Sequence, residues 1–496
     1  MEYTTILVGF LIGFVLFKAL TRKSKNLPPG PHVLPIIGNL HLVGSIPHKS
    51  ILKLAEKYGP IMSLQFGQIP TIVVSSPSMA KEILQKQDVA FAGKRIPDAL
   101  NAHNHWQFSV VWLPANSLWR TLRKILTSNI FTNNRLEASQ HLRSQKVRDL
   151  VEYCKKSGDK GEAVEIGQAA YRTSLNLLSS TIFSKDLADY YSETGAPREF
   201  KDAIWNILVE SVKPNLADFV PILSMFDLQG IKRRAGIHFG KGLKIMEGLV
   251  NERLEHRETH GATHNDILDI FLNYCDEHPD ELDRHRVKHT ILDLFIAGTD
   301  TTSSVTEWTM AELIQNPQVM KRAKDELAQV IGKGKCLEES DVARLPYLRC
   351  IMKEALRKHP PGPFLFPRRP EEDVEVAGYT IPKGAQVLVS IYALGRDPNS
   401  WEDPLAFKPE RFLDSELDFR GNNFEMLPFG AGRRSCPGLP MAVRMVPLLL
   451  GSLINSFDWV LDGGMKPEDL SMEEKVGLTA QLAHPLKIVP IPVKEE

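Results

Sequence analysis

The hydrophobic pattern changes character along the chain. From Tyr3 to Phe17 there is no charged residue, and Ile6, Leu7, Val8, Phe10, Leu11 and Ile12 open a run that continues through Phe14, Val15, Leu16 and Phe17. Lys18 can snorkel and carry the run on through Ala19 and Leu20. A cleaved signal peptide would place its positive charge before the run. Here Glu2 precedes it and Arg22, Lys23 and Lys25 follow. That arrangement predicts a retained anchor over residues 1–21 with the remaining chain on the cytosolic side, although the run is short for a full span. Leu27-Pro28-Pro29-Gly30-Pro31, Pro35 and Gly38 then make residues 22–40 a basic and Pro-rich hinge, stiffened by the fixed φ of proline.

Beyond the hinge, Thr71 to Ser75 reads as a short strand between Pro70 and Pro77. Helical periodicity dominates afterwards, over Trp119 to Ile130, Phe239 to Arg257, Leu282 to Ile314, Pro317 to Ile331 and Leu345 to Lys358. Three β-type stretches, 374–376, 379–381 and 386–389, are separated by Gly378 and Lys383-Gly384, and a last one covers 486–490. No internal repeat or composition break appears after residue 40. Residues 41–496 therefore read as one domain, mainly α with a small β part.

Charge and cysteine content narrow the function. The 60 basic and 60 acidic residues cancel, and no long basic run exists, which argues against nucleic acid as a partner. The five cysteines are odd in number, widely spaced and without a C-x-x-C pair. That excludes zinc ribbons and redox pairs and fits a reducing compartment.

The most informative segment is Pro428-Phe429-Gly430-Ala431-Gly432-Arg433-Arg434-Ser435-Cys436-Pro437-Gly438. It fits F-x-x-G-x-R-x-C-x-G, whose five fixed positions recur by chance in roughly one chain in ten thousand of this length. A cysteine thiolate on haem iron donates electron density and favours O–O cleavage. Backbone N–H groups aimed at the sulfur tune it, Gly432 and Gly438 let the backbone turn and approach a ring, and Arg434 can reach a haem propionate. Two weaker motifs stand elsewhere. Ala297-Gly298-Thr299-Asp300-Thr301-Thr302 interrupts a long helical pattern with poor helix formers. It predicts a local groove, with Asp300 and Thr301 as an acid–alcohol pair suited to delivering protons to reduced dioxygen. Alone it is also compatible with a capped helix break. Glu354 and Arg357 share a helix face, but E-x-x-R occurs once or twice by chance in about 500 residues, and an isolated surface pair is worth little.

Together these segments resemble the cytochrome P450 family over residues 27 to 490. The resemblance implies that fold, with haem b (iron protoporphyrin IX) between a long central helix and the Cys-ligand loop. It makes Cys436 the axial iron ligand, with Phe429 and Gly438 in the cofactor-binding loop, and Trp119, Arg123, Arg368 and Arg434 as propionate contacts. Glu354, Arg357 and Arg411, the last within Phe407-Lys408-Pro409-Glu410-Arg411-Phe412, become a buried structural network rather than catalytic groups. Arg120, Lys124 and Arg433 become a basic face for an acidic NADPH–cytochrome P450 reductase, against plain solvated charge as the alternative. The implied activity is an NADPH-driven monooxygenase using O2 on a small apolar substrate, in contact with membrane lipid and anchored once in the endoplasmic reticulum. A haem isomerase without reductase and a non-catalytic membrane scaffold are the competing classes; the Asp300–Thr301 pair favours oxygen activation.

The resemblance places the substrate pocket among Phe108, Val110, Phe295, Ile296, Ala297, Phe364, Phe366 and Leu478. Asn101, His103, Asn104 and His105 are possible polar anchors, each more readily read as a loop residue. His103-Asn104, the run from Phe108 to Pro114, the run from Arg172 to Ser179 and the run from Leu345 to Cys350 resemble the plant geraniol 8-hydroxylases more closely. Gly362, Phe366 and Arg369 depart from that group and keep open a geranylated aromatic such as geranylhydroquinone, or a flavonoid.

Overall fold

The computed structural model describes residues 26–188, 196–261 and 265–494; the expected anchor over residues 1–21 lies outside them. Helices dominate, and the longest, Arg284–Gln315, sets the frame. Its 32 residues span roughly 48 Å. Asp283 caps it, accepting from the Arg286 amide at 2.8 Å. The N-terminal half, with Ile291, Leu292 and Phe295, is buried in one hydrophobic core with helices Ile166–Phe183, Ala196–Val212 and Ile231–His260. The C-terminal half, with Val305, Trp308, Met310 and Leu313, is buried in another with helices Pro346–Lys358 and Leu439–Ser456.

The helix runs unbroken through Gly298–Thr302, where the sequence predicts a groove. The hydroxyls fold back instead: Thr299 donates to Phe295 O at 2.8 Å, Thr301 to Ala297 O at 2.6 Å and Thr302 to Gly298 O at 3.1 Å. Gly298 has a packing reason, since a Cβ there would stand 2.8 Å from Leu178 Cδ1. The predicted helix 119–130 is an α-helix over Ser117–Ile125 continued by a π turn over Leu126–Ile130. Leu439–Ser456 is long and apolar enough to cross a membrane, but 67% of its apolar window is buried; its apolar residues feed the core.

Among the described residues the β part divides into four separate sheets. Ile61–Phe66 pairs antiparallel with Ile69–Val74, which runs parallel to Gln386–Val389. Arg368–Arg369 and Gly93–Lys94 complete this five-stranded sheet, with Lys94 opposite Arg368. A three-stranded sheet joins Val164–Glu165, Lys487–Pro492 and Phe457–Leu461, and two hairpins, Val374–Val376/Tyr379–Ile381 and Glu474–Val476/Ala480–Leu482, stand separately. The Pro-rich segment lies along the first sheet: Pro29 O accepts from Ser63 N at 2.8 Å. A side chain on Gly30 would collide with Ser63 O at 1.9 Å.

Candidate active site

The cysteine loop and the middle of the central helix both keep surface that the packing around them leaves uncovered, as the walls of an internal chamber would. Ala297, halfway along a helix buried on both sides, is exposed, and its neighbours Ile296, Gly298 and Thr301 are half-buried. Cys436 likewise has accessible surface. Yet burial dominates its ionisation and pushes the thiol pKa up, against the Gly438 and Leu439 amides and Arg123, which favour the thiolate. Accessible surface together with deep burial puts the sulfur on the wall of an enclosed space. The loop reaches that position because Cys436 N donates to Phe429 O at 2.8 Å. Gly432 holds φ +69°, with no room for a Cβ 2.3 Å from Leu84 O. Phe429 itself packs on Phe419.

Beside the sulfur, positive charge accumulates without an acid to balance it. Among the described residues no carboxylate hydrogen-bonds Lys94, Arg123, Arg368 or Arg434. Arg123 donates to Ser435 O. Arg434 donates to Leu113 O at 2.5 Å and lies 4.4 Å over the Trp119 ring, whose Nε1 donates to Val110 O at 3.1 Å. Three guanidinium nitrogens, Arg368 Nε and Arg434 Nε and Nη1, are buried with no partner. Burial first, then mutual repulsion with Arg368 and Arg123, pushes Arg434 down to about 9, and burial takes Arg368 to about 10. Buried cations with orphaned donors require an anion. A flat, apolar ring carrying two carboxylates, seated between Cys436 and Ala297, answers both observations. The residues present therefore fit haem b, whose iron Cys436 would hold and whose propionates these cations would hold. Lys94, which the sequence reading passed over, belongs to the group: burial and repulsion from Arg368 and Arg434 push its pKa well below that of an ordinary lysine. No motif marks it; its pairing with Arg368 across the sheet brings it in.

The structural network assembles as the motif implies. Glu354 accepts from Arg357 Nε and Nη2 at 2.7 and 2.8 Å and from Arg411 Nε at 3.2 Å. Glu354 and Arg357 are fully buried. The acid–alcohol pair, in contrast, is parted. Asp300 is buried and turned to the C-terminal hairpin, accepting from Thr479 Oγ1 and Gln481 Nε2, both at 2.7 Å. Burial raises its pKa against those two donors. Thr301 alone borders the chamber. Successive residues on a helix point about 100° apart, so one element cannot aim both groups at one point.

The pocket residues also divide. Phe364, Leu478 and Ile296 are half-buried, and Ala297 is exposed. Phe366 is exposed and meets Trp112 at 5.0 Å, and Val110 is tied to Trp119. Phe295 is a correction: it is fully buried between Phe183 and Phe200, so its ring belongs to the core. Phe108 packs on His285 and His289. Arg433 is a second correction, since Asp88 pairs with it at 2.8 Å and removes it from the free basic face; Arg120 and Lys124 stay exposed. Of the possible anchors, His103 and Asn104 are exposed while His105 is buried.

Comparison with known proteins agrees with this geometry. The family model described as Cytochrome P450 matches residues 28–486. Geraniol 8-hydroxylase of Catharanthus roseus is 61% identical over 99% of both chains. Geraniol 8-hydroxylase of Swertia mussotii is 59% identical over 99% of both. 7-Ethoxycoumarin O-deethylase of Helianthus tuberosus is 52% identical over 99% of this chain and all of that one. Among solved structures, a zebra fish cytochrome P450 with progesterone covers 90% of this chain and 99% of its own at TM-score 0.75 and 24% identity, which speaks for the fold. The chain belongs to the cytochrome P450 family of haem-thiolate monooxygenases.

Proposed function

We propose that this protein hydroxylates the terminal allylic methyl (C8) of geraniol or nerol, as a step of monoterpenoid (iridoid) biosynthesis. The observation that carries the reading is the 61% identity over essentially the whole chain to a protein named geraniol 8-hydroxylase. The bound haem supplies oxygen activation, with electrons derived from NADPH through a partner reductase. The chain's residues supply the setting. Ala297 and Thr301 present a small apolar surface and a hydroxyl to the chamber, Phe364 and Leu478 exclude water from it, and the next residue, buried Asp300, carries a carboxyl whose pKa burial raises. Exposed Arg120 and Lys124 support docking of an acidic reductase on the cysteine side.

The same reading anchors residues 1–21 in the endoplasmic reticulum membrane, with residues 22–40 as hinge and 41–496 as a cytosolic catalytic domain. Exposed apolar residues near the hinge support it: Ile36, Ile222, Met225, Phe226 and Leu228 are each at least 65% exposed.

The test is reconstitution of the full chain in membranes with reductase and NADPH. Geraniol, geranylhydroquinone and a flavonoid are offered together and products are identified by mass spectrometry. We expect the terminal alcohol of geraniol. Turnover of either aromatic with geraniol left untouched would overturn the substrate.

A further inference from the structure

One buried cluster of acidic and histidine side chains serves neither the haem nor the proton path. His105, His289 and Asp293 are all buried. His105 Nδ1 lies 2.9 Å from His289 Nδ1, and His105 Nε2 lies 2.9 Å from Asp293 Oδ1. The outer atoms of this chain, Asp293 Oδ2 and His289 Nε2, have no partner. With its carboxylate ionised, Asp293 Oδ2 can only accept, so that end of the cluster lacks a donor. A buried carboxylate oxygen without a donor is costly, and the group that answers it is an O–H or N–H brought in by a ligand.

The place of the cluster fits one ligand shape. Asp293, Ala297 and Thr301 follow at four-residue intervals, so they form one stripe along the central helix. Asp293 stands two turns above Thr301, roughly 12 Å along the axis. From the cluster the chain leads to the cations beside Cys436: Phe108 packs 4.9 Å from His289. Two residues on, Val110 O holds Trp119 beneath Arg434. In an extended acyclic C10 alcohol, eight bonds separate the hydroxyl oxygen from the terminal methyl, about 10 Å. A hydroxyl at Asp293 puts that methyl beside Thr301.

We propose that Asp293, held by His105 and backed by His289, is the positioning residue that accepts a hydrogen bond from the substrate's hydroxyl and so decides which end of the chain reaches the reaction centre. The proposal rests on the acyclic terpene alcohol reading above and adds to it the recognition element. The ligand it selects is a hydrogen-bond donor at one end of an apolar chain, not an ether or a hydrocarbon of the same length.

The test uses full-chain protein in its haem-loaded form and reads the spin-state difference spectrum with three ligands: geraniol, geranyl methyl ether, and the hydrocarbon lacking the hydroxyl. The wild type is expected to bind geraniol roughly ten- to hundredfold more tightly than either analogue, as for a hydrogen bond to a charged acceptor. Asp293→Leu and His105→Phe bring that ratio near one and spread hydroxylation over several positions. Asp293→Asn, which keeps the shape, leaves a ratio of only a few. A purely structural cluster would weaken all three ligands together and leave the ratio intact. Wild type that converts geraniol but binds the three alike overturns the anchor and leaves the substrate reading standing. So do variants that keep the reduced carbonyl band together with the ratio. Wild type showing neither a spin shift nor product with geraniol overturns both. If the variants do not fold, the wild-type comparison of alcohol with ether still decides.

Discussion

At the scale of single residues, the site is governed by which buried charges find partners. Glu354 has four donors: two nitrogens of Arg357, Nε of Arg411 and the Lys408 amide at 2.8 Å. Arg357 in turn donates to Pro404 O and Ala406 O at 2.8 and 3.0 Å, so one carboxylate fixes the segment from Pro404 to Arg411. Glu354→Gln keeps the shape and strips the charge, leaving a guanidinium buried without its counter-ion, at a cost of roughly 3–5 kcal/mol. The expected outcome is a large drop in the thermal midpoint and loss of haem during purification. An unchanged midpoint with full haem content would remove the network from that role. E-x-x-R was legible in the sequence only through its position before the β stretches, because its spacing alone is common. Asp293 was not legible at all, since an aspartate in a long helix ordinarily reads as solvent-facing; only the fold brings His105 against it.

At the scale of elements, the central helix and the C-terminal hairpin act as a unit. Ala480 O accepts from Ser304 Oγ and Trp308 Nε1 at 3.0 and 2.8 Å, and Thr479 and Gln481 hold Asp300. Asp300 and Thr301 therefore fail differently when replaced. Thr301→Ala removes a hydroxyl at the chamber wall and raises the share of NADPH electrons lost as peroxide. Asp300→Asn leaves the wall intact and slows NADPH consumption without that leak. Equal peroxide yields from the two variants would contradict this division. The hairpin's other end is held by Glu474, which accepts from His48 Nε2 at 2.8 Å and meets Lys49 Nζ at 3.0 Å. Burial opposes its ionisation, but the two partners together hold its pKa down to about 2. A folded-state pKa below the unfolded value of about 4.3 gives stability that is fully present above that value. That stability is lost as the pH falls from there through about 2. Acid titration followed by circular dichroism should show a shallower loss of stability over that window in Glu474→Gln than in the wild type; identical slopes would exclude Glu474 as a contributor. Phe239 to Arg257 fell eight residues short of the start of Ile231–His260, but Leu282 to Ile314, Pro317 to Ile331 and Leu345 to Lys358 were legible within one or two residues at their ends. Ile61–Phe66 and Glu474–Val476 were not, because short strands draw their stability from partners distant in sequence.

At the scale of the whole molecule, the surface is divided by polarity. Phe219 joins two stretches that are far apart in the chain: its carbonyl accepts from Gln68 N at 2.8 Å, and its ring meets Phe66 at 6.2 Å. On one side of that junction Val33, Leu34, Ile36 and Ile37 are exposed; on the other, Leu216, Ile222, Met225, Phe226 and Leu228 are. Monomeric soluble proteins rarely expose a contiguous apolar patch of this kind without a binding role. Residues 33–37 also lie within the hinge, so a membrane holding the anchor stands within reach of the patch. Two attachments on one face behave as two signals, and loss of either leaves partial binding. Removal of residues 1–21 is therefore expected to leave a protein that still floats with liposomes in part. Adding Ile222→Glu and Phe226→Glu to the truncated chain should release it to the soluble fraction, with the reduced carbonyl band preserved as a check on the fold. A truncated chain that is already fully soluble would confine membrane attachment to the anchor and leave the patch unexplained. Residual flotation insensitive to the two glutamates would move the contact to another face.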